Sequence, residues 1–148
     1  MASYKLVTYK TPDGPRAGLV VDDKVFDAAK LCGKAKYASV LAILEDWRSA
    51  QGALKAAAAK AAKSKQKSIP VGRAKLLAPV RFPSAIYCAG ANYGDHVAEM
   101  NKAQGRPPEP DPHTLGLKPW HFIKTARSLS DPGATVKISH YRSEEHTS

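Results

Sequence analysis

Acidic residues are missing between Trp47 and Gly94, aromatic residues are missing between Trp47 and Phe82, and the 148-residue chain holds only 2 cysteines. One pair as far apart as Cys32 and Cys88 is no disulfide framework. Neither cysteine has CxxC spacing, which speaks against a thiolate zinc site. No stretch approaches the roughly 18 apolar residues that a membrane span needs, so no membrane partner is expected. The opening Met1-Ala2-Ser3-Tyr4-Lys5 lacks the apolar region of a signal peptide. These absences together lead us to expect a soluble, cytoplasmic protein.

What fills the acid-free stretch is positive charge: Arg48, Lys55, Lys60, Lys63, Lys65, Lys67, Arg73, Lys75 and Arg81, in a chain of net charge +10. Such a block can bind nucleic acid or steer acidic substrates. Recognition of nucleic acid calls for cations interleaved with aromatics or a known motif, and neither is present. The block therefore reads as a solvated helix face, with no nucleic-acid partner. A non-catalytic basic binding module stays as the alternative.

Residues 4–10 have strand composition, and Pro12-Asp13-Gly14-Pro15 is a turn cluster. Residues 17–21 read as a second strand, Asp22-Asp23 as a tight turn, and residues 24–27 as a third strand, which makes a small antiparallel meander. Ser39 is suited to cap a helix in which Val40, Ile43, Leu44 and Trp47 share one face. Residues 51–63, rich in Ala and Lys, read as a surface helix or helical linker that Ile69-Pro70 ends. Residues 74–80 are apolar and strand-like. Residues 86–89 read as a short buried strand, with Cys88 as a small buried hydrophobe. A proline-rich loop at 105–112, a strand at 120–124, a turn at Asp131-Pro132-Gly133 and a strand at 135–138 follow. The composition shift places a domain boundary after residue 73, giving units 1–73 and 74–141.

The most chemical stretch is Gly90-Ala91-Asn92-Tyr93-Gly94-Asp95-His96-Val97-Ala98-Glu99. A strand ends at a glycine that permits a tight turn. Asn92 is suited to cap the next helix, with Asp95 near its positive end. His96 and Glu99 lie three apart and so share a helix face. A carboxylate beside an imidazole orients the ring and raises its basicity, which suits a general base that activates water. An ordinary surface pair has the same spacing.

Ala-Pro-Val-x-x-Pro-Ser-x-Ile at 78–86, then G-x-N-Y-x-x-H-x-x-E at 90–99, resembles the entry to the catalytic domain of the fumarylacetoacetate hydrolase family. Phe122-Ile123-Lys124, Ser128-Leu129 and Pro132-Gly133 are similar to its next segment, and the meander resembles its small leading domain. The resemblance implies cleavage or rearrangement of carbon–carbon bonds next to carbonyl groups in small keto or enol acids: acylpyruvates, oxaloacetate or ring-cleavage products. It implies His96 as base with Glu99 as its partner, and Lys124 near a substrate carboxylate. Tyr93 and Arg106 are further substrate-binding candidates, Arg106 from its place in the proline-rich loop. It also implies Mg²⁺ or Mn²⁺ and a homodimer for the full-length enzyme.

The family's metal ligands, an E-x-E pair on a strand and a later Asp, have no counterpart here. Glu144-Glu145 are adjacent and on a strand would point to opposite faces. Residues 142–148 resemble a translated sequencing adapter, which removes His146 from consideration as a ligand. The expectation is an α+β chain: a small N-terminal β-meander plus helix domain, then the incomplete start of a mixed β-sandwich or roll catalytic domain. No metal site is assigned within it, and the fragment alone is expected to be inactive. A truncated, inactive relative is the remaining alternative.

Overall fold

The computed structural model describes residues 3–61, 63, 65–90, 93–110, 112 and 114–137. The fold is α+β, with antiparallel sheets and a few helices. Two compact units are present, one from Met1–Arg81 with the residues from Leu129 on, the other from Phe82–Ser128.

The first unit is built on strands β1 (Lys5–Thr11), β2 (Gly14–Val21) and β3 (Lys24–Asp27). They form the expected meander, with Thr11 opposite Gly14 and Val21 opposite Lys24. Asp22 and Asp23, at φ +46° and +57°, close the second hairpin. Positive φ at both central residues matches the twist of the flanking strands, and aspartate tolerates it. Strands β4 (Ser68–Pro70) and β5 (Leu76–Leu77) extend the sheet to the order β4-β3-β2-β1-β5. Ile69-Pro70 thus lies in an edge strand, where a missing N–H is tolerated, and does not terminate a helix. The first sheet also runs beyond residue 73, because Leu76 and Leu77 pair with Tyr9 and Thr8. Of the apolar residues 74–80, these alone enter a strand.

Helices α1 (Ala28–Cys32), α2 (Val40–Glu45) and α3 (Trp47–Ala61) pack on this sheet. Ser39 caps α2 as expected, its hydroxyl accepting from the Ala42 N–H at 3.2 Å. The expected stripe is only half buried: Val40 and Ile43 enter the core, while Leu44 and Trp47 stay about two-fifths exposed. Asp46 breaks the helix at φ −103°, ψ 26° and resets its phase. Asp46 is held there by the hydroxyl of fully buried Tyr37, which donates to its carboxylate at 2.8 Å, and by Lys36.

Helix α3 is more than a surface helix. Ala50, Leu54, Ala57, Ala58 and Ala61 form a buried face that joins Leu19, Val21, Phe26 and Ile43 in the core. Alanine lets the helix approach the sheet closely, so a face with little side-chain volume still closes the core. On the other face of the sheet, Gly18 makes room for its neighbours. A Cβ there would lie 2.5 Å from Val25 Cγ1 and 3.0 Å from Val7 Cγ2.

Asp27 ties β3 to α1. Its carboxylate accepts from Arg16 at 3.0 and 3.2 Å and caps α1 through the Lys30 N–H at 2.9 Å. Burial acts to raise the Asp27 pKa, but the hydrogen bonds from Arg16 and Lys30 outweigh it and hold the group below its ordinary 3.8. A depressed carboxylate stabilises the fold above its unfolded pKa, and this contribution is lost as pH falls through the folded value. Asp27→Asn, which keeps the cap, is therefore expected to flatten the acid limb of stability below about pH 4. Acid titrations followed by circular dichroism check this; superimposable limbs would contradict it.

The second unit contains β6 (Ile86–Ala89), α4 (Gly94–Ala103) and β7 (His121–Lys124). Strands β6 and β7 pair antiparallel, with Cys88 opposite Phe122. The expectation of a buried strand is not met: Tyr87 is 72% exposed and Cys88 is half-buried. Residues 135–137 are not in a strand, whereas Asp131 does turn the chain, its carbonyl accepting from Ala134 at 3.1 Å. Ile138, the end of that expected strand, and the adapter-like 142–148 lie outside the described residues. Among the described residues no helix is long and apolar enough to cross a membrane.

Candidate active site

The chain leaves β6 at Gly90, whose N–H donates to the Trp120 carbonyl at 3.2 Å. Helix α4 begins four residues later. Tyr93 occupies its N-cap position in extended geometry without a side-chain cap; Asn92, expected to cap it, lies outside the described residues. Asp95 is in the first turn as expected, near the positive helix end, and accepts from the His96 N–H at 2.9 Å. At the other end, Gly105 adopts φ +64° and the Arg106 N–H donates to the Asn101 carbonyl at 2.8 Å. This six-to-one bond past a left-handed glycine closes the helix in a Schellman arrangement.

Between α4 and the two strands lies an open concavity of about 500 Å³, lined by Ala89, Gly90, Tyr93, His96, Met100, Trp120 and Phe122. His96 is the ionisable imidazole of this lining and is solvent-exposed. Such a ring can exchange protons with water and with a bound acid. Tyr93 adds a phenol at the same wall.

The other expected site residues stand at different distances from this group. Lys124 is outside the lining, but its Nζ lies 5.7 Å from the ring centroid of Phe122, which is part of it. Glu99 shares α4 with His96 and is exposed. Among the described residues the ion pairs are Arg16–Asp27, Lys36–Asp46 and Arg81–Asp131, so His96 and Glu99 form no ion pair here. Arg106 is exposed, and what the structure records of it is its backbone bond at the end of α4. Among the described residues no group of three His, Cys, Asp or Glu side chains gathers to hold a metal ion.

The sequence reading passed over Trp120 and Met100. Trp120, Phe122 and Lys124 alternate at a period of two, the spacing that brings residues to one strand face. That signal was present, but the pairing of Gly90 with Trp120 depends on a strand register that only the fold supplies.

No protein-family model matches the chain. It is 32% identical over 80 residues to Protein Rv2993c of Mycobacterium tuberculosis, a stretch covering 54% of this chain and 26% of that relative. The matched part thus spans about a quarter of the relative's length.

Proposed function

We propose that this chain is the leading part of a fumarylacetoacetate hydrolase family enzyme that cleaves carbon–carbon bonds beside carbonyl groups in small keto or enol acids. The observation that carries this reading is the position of His96. It stands on the helix that carries the H-x-x-E end of the G-x-N-Y-x-x-H-x-x-E pattern and lines one concavity with Tyr93, Trp120 and Phe122.

In hydrolysis, the His96 imidazole takes a proton from water as the hydroxide adds to the substrate carbonyl. The bond from that carbon to the neighbouring methylene breaks, and its electron pair passes into the enolate of the departing oxo acid. The imidazolium then returns its proton to the enolate carbon. Glu99, unpaired with His96 in this structure but on the same helix, is the carboxylate assigned to orient the ring when substrate is bound, and Lys124 meets the substrate carboxylate, a charge-assisted contact that fixes the acid's direction. Tyr93 and Arg106 are offered to the substrate from the two ends of α4. The Mg²⁺ or Mn²⁺ that the family resemblance implies for the full-length enzyme would, when bound, stabilise the enolate by its charge; the steps above are those of this chain's own residues. A cytoplasmic homodimer without nucleic-acid or membrane partners is the form that accompanies this reading.

The test is to express the whole natural reading frame and assay it on an acylpyruvate, on oxaloacetate and on an enol diacid from ring cleavage. Turnover of at least one is expected. A folded protein inert to all three would favour an inactive or binding-only relative.

A further inference from the structure

The lining of the concavity is aromatic and apolar to a degree that a short acid does not need. Trp120 lies flat against the backbone of Gly90: a Cβ on that residue would come 2.2 to 2.5 Å from the indole carbons Cη2, Cζ2 and Cζ3. The ring is therefore seated by the absence of a side chain at position 90, while 58% of Trp120 remains exposed. Phe122 stands beside it, with ring centroids 6.1 Å apart and planes tilted by 39°. Met100 adds a polarizable thioether from α4, a side chain that adapts to flat rings. Two residues along β7 from Phe122 is Lys124, its ammonium close to that ring. One stretch of the chain thus carries a fixed indole, a phenyl ring and then a cation.

We propose that Trp120 is a specificity-determining residue, and that the site prefers a 2-oxo acid bearing a flat aryl group, which stacks on the indole while the carboxylate meets Lys124. This rests on the oxo-acid reading above. A three-carbon acid leaves most of a 500 Å³ concavity unfilled, and ligand sites of that size are characteristically lined by apolar groups with a few placed polar ones. Offset stacking of rings adds to the gain from burial alone.

Dissociation constants of the protein expressed from the whole natural reading frame for 2-oxobutanoate and 2-oxo-4-phenylbutanoate, measured by ligand-observed nuclear magnetic resonance, test this directly. The phenyl acid is expected to bind at least about tenfold more tightly, equivalent to about 1.4 kcal/mol. Trp120→Ala should abolish that preference without weakening 2-oxobutanoate, and Trp120→Phe should keep most of it. Gly90→Ala, which retains the indole but unseats it, should lower the preference as well. Equal binding of the two acids, or a preference that survives both Trp120→Ala and Gly90→Ala, overturns the proposal. The probe 4-phenylbutan-2-one separates the two readings. If it binds as tightly as the phenyl acid, the stacking role of Trp120 stands and the oxo-acid reading falls.

Discussion

His96→Ala is expected to lower kcat of the catalytically competent enzyme by about 10²- to 10⁴-fold, the usual worth of a positioned general base. His96 is the imidazole of the concavity, and its exposure gives it access to water. Glu99→Gln should cost less, about tenfold, because the carboxylate acts through the ring and does not touch the substrate. A loss confined to kcat, with KM unchanged, is the signature that a purely structural role would not produce. A Glu99→Gln enzyme with wild-type kcat would separate Glu99 from His96.

Leu54→Ala is the second large effect. Leu54 is fully buried in the face of α3 that otherwise consists of alanines, so it is the one large side chain of that buried face. Removing a buried leucine side chain costs about 2–5 kcal/mol, a large part of the roughly 5–15 kcal/mol that holds a typical domain folded. Lys60→Ala on the exposed side should stay within about 0.5 kcal/mol of wild type. Hydrogen exchange read by mass spectrometry follows α3 by its own peptides. In Leu54→Ala these should exchange about 30-fold faster or more, since each 1.4 kcal/mol is a factor of ten. Unaltered protection would mean that the alanine face is not part of a cooperative core.

The sequence made the meander legible because strands of alternating character were separated by residues with clear turn chemistry, down to Asp22-Asp23. Ser39 was legible for the same kind of reason: a hydroxyl before a helix has one favoured use. Helix α3 was misjudged because alanine is both a helix former and a core residue, and composition does not say which face meets a sheet. The break at Asp46 was hidden because it depends on Tyr37 and Lys36 reaching back from an earlier turn. In the second unit, apolar character at residues 86–89 suggested burial, yet a two-stranded sheet has few neighbours to cover it. His96 was singled out by its spacing from Glu99 on one helix, and Tyr93 by the resemblance alone; both line the concavity. Trp120 was not, because its role comes from a cross-strand seat on Gly90.

The most direct test of the central reading is to sequence the source DNA through and past the codon for Tyr141. The proposed enzyme predicts a reading frame that continues into a strand with an E-x-E pair and a later aspartate, carboxylates suited to a hard octahedral ion. A natural frame that stops at Ser148 with the same seven final residues would contradict it, and would turn the reading toward an inactive or binding-only protein.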